Sequence, residues 1–196
     1  MTSFYGEDEL KELGFRSVGK NVYISRKASF YGLQNMIIGD YVRIDDFCIL
    51  SGDIKIGNHI HIAAYSALYG GTHGIVLSDF VTLSSRNIIY AESEDYVGAS
   101  LSNPLIGSKY RKISGQKVIF EKHVLVGTNC TILPGAYLAE GVSIAAMSLV
   151  KNKLEAWTVY AGIPVKKIKN RDMGILRLEQ EYLMELEEEN KDNNEQ

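Results

Sequence analysis

Four histidines, His59, His61, His73 and His123, are the side chains of this 196-residue chain best suited to moving protons at neutral pH. Imidazole is the side chain whose unperturbed pKa lies in that range. A histidine acting as a general base can activate a hydroxyl too weakly acidic to ionise by itself. His73 closes the run LYGGTH, and Glu94 closes the later run IYAESE, with Asp95 following. A carboxylate one strand spacing from an imidazole fixes its tautomer and stabilises the imidazolium. His73 as base with Glu94 or Asp95 as its orienter is therefore one reading, and a polar residue in the GGTHG turn is the other. His61 closes IGNHIH in the same way, as a second candidate base or an exposed corner residue. His59 and His123 sit elsewhere in their runs and belong to the outer surface or a subunit contact. A second cluster is basic: Lys166, Lys167 and Lys169 in GIPVKKIK, with Lys151 and Lys153 upstream. By itself this cluster reads as a solvated basic turn.

What positions these residues is a period of six. FEKHVLVGTNCTILPGAYLAEGVSIAAMSLVKNKLE, residues 120–155, reads as six hexads opened by Phe120, Val126, Ile132, Leu138, Ile144 and Val150. The same spacing runs through Val18, Ile24 and Phe30, then Ile38 to Leu68, then Leu77, Leu83 and Ile89. A period of six is neither helical nor the alternation of a flat strand. It fits short strands joined by tight corners and wound into a triangular coil, three units to a turn. In that frame the hexad ends Asn35, Lys55, His73 and Glu94 line up at one corner. The pattern vanishes over 95–118, a polar excursion that leaves the coil at that corner, and long excursions from regular solenoids are usually functional. The expected division is a helical cap over 1–17, a solenoid over 18–170, and a helix with an acidic tail over 171–196. The two helices are expected to cap the open ends.

A formal charge of −3 gives no reason to expect nucleic acid, whose binding surfaces are usually strongly basic. No apolar run is long enough to span a bilayer, so the cytoplasm is the expected compartment. Cys48 and Cys130 fall at the inward small position of a hexad and read as buried thiols.

With the VLVGTNCTILPGAYLAEGVSIAAMSLV run and the terminal AGIPVKKI in view, the chain resembles the hexapeptide-repeat acyltransferases. The likeness covers about residues 18–170 and is greatest to the sugar and polysaccharide O-acetyltransferases and the nucleotide-linked amino-sugar N-acetyltransferases. EDYVGASLSNP in the excursion is similar to a signature of relatives encoded with bacterial polysaccharide genes. The resemblance implies an all-β solenoid, a left-handed parallel β-helix, assembled as a homotrimer. It implies acetyl-CoA as co-substrate and a sugar or nucleotide sugar as acceptor. By position it implies that Gly127, Thr128, Ala145 and Ala146 line the pantetheine arm, one of their amides serving the oxyanion. Lys151 and Lys166 would meet phosphates. Tyr96 and Asn103 would either bond the acceptor or hold the loop together. The family's usual catalytic histidine position is Glu94 here, which moves attention one coil down to His73 and slightly favours an amino acceptor.

Two rivals remain at this level. One is a metal-dependent hydratase of the carbonic anhydrase type, which needs three histidines and a different spacing from that of His59 and His61. The other is a non-catalytic scaffold, against which the GIPVKKI ending and the corner loop speak.

Overall fold

The computed structural model describes residues 3–194, so the last two residues of the acidic tail lie outside it. The hexads wind into a parallel β-solenoid whose three faces are stacks of short strands, each in register with the coil above and below. On the first face Val18 pairs beside Ile38, then Ile56, Leu77, Phe120, Leu138 and Leu154. The second face stacks Ile24, Ile44, Ile62, Leu83, Val126, Ile144 and Tyr160. The third stacks Phe30, Leu50, Leu68, Ile89, Ile132 and Val150. The hexad-opening residues are thus the inward ladder, and all but Val18 and Phe30 of the first coil are buried. Each stacks against the same position in the next coil, so truncating a mid-stack residue such as Leu83 to Ala costs about 2–5 kcal/mol.

The corners explain the polar positions. A tight turn between faces holds one residue in the left-handed region. Tyr41, His59, Phe80, His123 and Trp157 occupy that place at one corner, and Phe47, Tyr65, Arg86, Asn129 and Met147 at the next, with φ between 51° and 64°. Such backbone costs roughly 1 kcal/mol or more per residue, and side-chain stacking offsets it. Tyr41, His59, Phe80 and His123 form a column of stacked rings with centroids 4.6–5.2 Å apart. His59 and His123 therefore lie inside an aromatic ladder.

Helix α1 (Glu7–Glu12) begins with Glu9 accepting from the Gly6 amide and lays Leu10 over the first coil. Helix α2 (Ile175–Asn194) does not cap the far end as the sequence suggested. On the second face the far edge is covered instead by a hairpin, Thr158–Gly162 against Val165–Asn170, built from the AGIPVKKI ending. Arg171 then donates to the carbonyls of His123, Gly141 and Val142, and α2 runs back along the aromatic corner. Glu179 bonds His123 at 2.7 Å and pairs with Lys122, and Tyr182 lies edge-on to His59 and Phe80. Among the described residues no helix is long and apolar enough to cross a membrane.

Candidate active site

His73 stands on a bulge. The strand Ala67–Leu77 carries three more residues than its neighbour below can pair, and the surplus is absorbed at 70–74, where the register shifts first between Tyr69 and Gly71 and again between Gly71 and Ile75. Counting hexads places the surplus after His73 and stacks His73 on Lys55. In the structure Lys55 pairs beside Val76 instead, and the imidazole projects from the corner.

The excursion also starts earlier than the hexad count implies. Ala91 is the last residue of its coil, and the chain returns at Gln116, whose amide donates to the Ala91 carbonyl at 2.9 Å. Between them Glu92–Ser93 and Ser114–Gly115 form a two-stranded antiparallel stalk. The carboxylate that meets the imidazole is therefore Glu92, at the foot of the stalk, with Oε1 2.8 Å from His73 Nδ1. The same oxygen accepts from the Thr72 amide at 2.6 Å and the Thr72 hydroxyl at 2.8 Å. Burial alone would raise the Glu92 carboxyl, but the hydrogen bonds from Thr72 and His73 outweigh it and hold it below its ordinary value. An ionised Glu92 fixes the proton on Nδ1 and leaves Nε2 as the acceptor.

Two glycines make this approach possible. Gly71, at φ +53°, has the Glu92 carboxylate where a Cβ would stand, with Cδ at 2.1 Å. Gly115, across the stalk, has the imidazole there, with Nδ1 at 2.4 Å.

The expected orienters do other things. Glu94 turns away from His73 to pair with Arg111 on the returning side of the excursion, leaving its Oε2 and Arg111 Nε buried without hydrogen-bond partners among the described residues. Asp95 caps the loop, accepting from the amides of Val97 at 2.9 Å and Ala99 at 2.7 Å and from the Ser100 hydroxyl. These bonds, that of Val97 first, hold its carboxyl below the usual range. Asn103 closes a turn by accepting from the Leu105 amide at 2.9 Å. Tyr96 is almost fully exposed and, with Tyr90, Glu92, Ser93, Glu94, Thr131, Leu133 and Pro134, lines a cleft of about 580 Å³ beside the His73–Glu92 pair. Tyr90 stacks on Tyr69 with centroids 5.2 Å apart, giving that cleft an aromatic wall.

His61 lies on the second face, with Nε2 2.8 Å from Asp45, which also accepts from Arg43 at 2.7 Å. Burial would raise the Asp45 carboxyl, but these two partners hold it low. His61 thus belongs to a charged network apart from His73. Among the described residues no group of three His, Cys, Asp or Glu side chains is placed to hold a metal ion.

Gly127, Thr128, Ala145 and Ala146 gather at the corner between the second and third faces. Gly127 and Ala145 bond along the coil, to the carbonyls of Ile144 and Tyr160. Thr128 bonds its hydroxyl to the Ser85 carbonyl at 2.6 Å, and the amides of Thr128 and Ala146 have no partner among the described residues. Lys166, opposite Ala161 in the terminal hairpin, lies on the strand beyond this corner at the far end of the second face. Lys151 does not join it: it follows Val150, at the corner of His73 and the excursion. The candidates for base, acceptor and carrier thus fall on two different corners of one prism, with His61 on a face and His59 and His123 at the third corner. Sequence reasoning missed Glu92, Thr72, Gly115 and Arg111. The Gly70–Gly71 pair was the available signal, since a surplus is most easily bulged out where glycine permits it.

No protein-family model matches the chain. It is 47% identical over 180 residues to a dTDP-4-amino-4,6-dideoxy-D-glucose acyltransferase of Escherichia coli, covering 90% of this chain and 93% of that one. The chain belongs to the hexapeptide-repeat sugar acyltransferases. Its solenoid is the left-handed parallel β-helix of that family, and it is an acyl-CoA-dependent enzyme with a sugar acceptor. Among solved structures it is similar to a variant of AntD, an N-acyltransferase from Bacillus cereus in complex with dTDP-4-amino-4,6-dideoxyglucose and coenzyme A. The TM-score is 0.92 at 50% identity, covering 94% of this chain and all of that one. A hexapeptide-repeat acetyltransferase from Vibrio cholerae shares the fold alone, at 17% identity and a TM-score of 0.54.

Proposed function

We propose that this acyltransferase moves an acyl group from acyl-CoA to the 4-amino group of a dTDP-linked 4-amino-4,6-dideoxyhexose, with His73 as general base. The observation that carries the reading is the His73–Glu92 pair at 2.8 Å beside the cleft of Tyr90 and Tyr96. Nε2 accepts the proton from the amine as its nitrogen attacks the thioester carbonyl carbon. Glu92 stabilises the imidazolium, the C–S bond breaks, and the imidazolium returns its proton to the departing thiolate. The unpaired amides of Thr128 and Ala146 suit the pantetheine arm and the oxyanion, and Lys166 suits a CoA phosphate. We propose Tyr96 as an acceptor contact, and Asp95, Asn103 and Glu94 as residues that hold the loop.

The base and the carrier groove lie on different corners of one prism, which supports a homotrimer in which neighbouring copies supply the two halves of each site. Acyl-CoA and nucleotide sugars as co-substrates favour action in the cytoplasm. The test is CoA release from acetyl-CoA and 3-hydroxybutyryl-CoA with dTDP-4-amino-4,6-dideoxyglucose. Turnover of wild type that falls on the order of 10²–10⁴-fold in His73→Asn supports the reading. No turnover with this acceptor, or an unchanged rate in the variant, overturns it.

A further inference from the structure

The surplus residues of the Ala67–Leu77 strand do more than break the register. Elsewhere on the prism one coil is tied to the next by a side-chain oxygen that accepts a single amide. Asp40 Oδ1 accepts from Lys20 and Asp79 Oδ1 from Asn58, both at 2.7 Å, with no second donor to either oxygen among the described residues. Glu92 makes the same tie to the Thr72 amide, at 2.6 Å. Its Oε1 also takes the Thr72 hydroxyl at 2.8 Å and His73 Nδ1 at 2.8 Å. A tie between coils needs the amide alone. Here two neighbouring residues of one bulge aim three donors at one oxygen, and Gly71 before them leaves the space that the carboxylate fills. The Thr72 hydroxyl stands 3.4 Å from Nδ1, farther than from the carboxylate, so its proton belongs to Glu92.

We infer that Thr72 is a positioning residue for the transfer, acting on His73 through Glu92. The inference rests on His73 as the proposed base and deepens that reading. A carboxylate held by an imidazole alone can swing about its own side-chain torsions, and a neutral imidazole then takes either tautomer. The amide and hydroxyl of Thr72 reach Oε1 from one residue, so they fix where that oxygen stands. Hydrogen bonds to an ionised acceptor are among the stronger ones, and they favour its charged form. With Oε1 pinned, Nδ1 has an acceptor in place and keeps its proton. The lone pair then stays on Nε2, where the amine is to be deprotonated. With the proton on Nε2 instead, a bare Nδ1 would face an ionised oxygen at 2.8 Å, two acceptors in contact. Any residue at this position supplies the amide, so the hydroxyl is what threonine adds. Its side chain is exposed on the bulge, outside the buried ladder.

The test compares Thr72→Val, which keeps the amide and the shape but loses the hydroxyl, with Thr72→Ser, which keeps both donors. Turnover is measured with acetyl-CoA and dTDP-4-amino-4,6-dideoxyglucose. The ring nitrogens are observed by NMR in full-length protein carrying isotope-labelled histidine, the His73 signals being those missing from His73→Asn. Thr72→Val should lower kcat about tenfold, the worth of one hydrogen bond to a charged group, with both KM values unchanged. Thr72→Ser should restore most of the loss. With the imidazole neutral, wild type should show Nδ1 protonated and Nε2 bare. Thr72→Val should move both signals toward those of mixed tautomers, and Thr72→Ser should return them. The melting temperatures of both variants should stay close to wild type, since the bulge lies outside the ladder. Unchanged kcat in Thr72→Val, no rescue by Thr72→Ser, or a loss of kcat with the ring signals unmoved overturns the inference. The two readings fail separately. A wild-type rate in His73→Asn sinks the base, and the inference with it, whatever Thr72 does to the ring. Ring signals and kcat that ignore Thr72, in an enzyme that needs His73, sink the role of Thr72 alone.

Discussion

Gly115 lies so close to the imidazole of His73 that a methyl group in place of its hydrogen would stand 2.4 Å from Nδ1 and 2.6 Å from Cε1. Backbone from the returning strand of the stalk is thus the wall that holds the ring against Glu92. Gly115→Ala must push the imidazole away or open the stalk. A displacement of about 1 Å costs on the order of 10²-fold in rate. The expected outcome is such a loss in kcat with a melting temperature close to wild type, because the stalk stands outside the buried core. Steady-state kinetics and a thermal melt on one preparation check it.

Glu92 and Glu94 are two residues apart and separable. Glu92→Gln removes the charge facing His73 Nδ1, and loss of the carboxylate that orients a general-base histidine costs up to about 10⁴-fold in kcat. The amide also frees the ring to adopt the other tautomer, so the pH profile of kcat/KM should change. Glu94→Gln breaks only the pair with Arg111 that ties the two sides of the excursion. It should raise the acceptor KM with a smaller effect on kcat and leave the pH profile alone. A larger kcat loss in Glu94→Gln than in Glu92→Gln would return Glu94 to the role that hexad counting assigns it.

The contrast shows what the sequence makes legible. The coil is set by local packing repeated at a fixed spacing, so Ile44, Leu83 and Ile132 declare their places by periodicity alone. Where the period breaks, counting loses its footing. The surplus at 70–74 and the departure at Ala91 are decided by which backbone groups find partners, and those partners are a whole coil away in sequence. His73 could be singled out because its residue type and its corner are both read directly from the sequence. Glu92 could not, because its contact depends on two register choices made together. The hairpin from AGIPVKKI and the return of α2 along the aromatic ladder are likewise long-range pairings with no local signature.

Cys48 lies at the inward small position, and burial pushes its thiol up to about 11; burial raises that of Cys130 as well. The reactive form is the thiolate. Neither cysteine should therefore react with an aromatic disulfide reagent at pH 8 over the time in which a free thiol reacts fully. Both should react promptly in denaturant. Rapid labelling of the native protein would show that the interior coils open far more readily than their packing implies.

Glu179 ties α2 to the ladder through Lys122 and His123. Burial would raise its carboxyl, but hydrogen bonds from Lys122 and His123 hold it below its ordinary value of 4.5. A carboxylate depressed in the folded state stabilises it above the unfolded pKa, and loses that contribution as pH falls through the folded one. Docking of α2 should be complete at neutral pH and weaken progressively below pH 4.5. Glu179→Gln should be less stable at pH 7 by ~2 kcal/mol and should show less acid dependence than wild type. Denaturant melts of both proteins from pH 3 to 7 check this, and parallel acid curves would contradict it.

The separation of His73 from the Thr128–Ala146 groove makes a prediction about mixtures of inactive proteins. His73→Asn removes the proposed base and leaves the groove intact. Ala146→Trp fills the groove where the amide is exposed, and leaves His73 and Glu92 untouched. If each site combines the base of one copy with the groove of its neighbour, neither variant works alone. Unfolding the two together and refolding them at equal concentration randomises the copies within the proposed trimers. A given interface then joins an intact base to an intact groove with a chance of one half times one half, so roughly one quarter of the sites recover. The measurement is CoA release by the refolded mixture against each variant refolded alone. Recovery near that fraction requires a site shared between copies. A mixture no more active than its parts means that a single chain carries both halves, and the corner assignments fall with it.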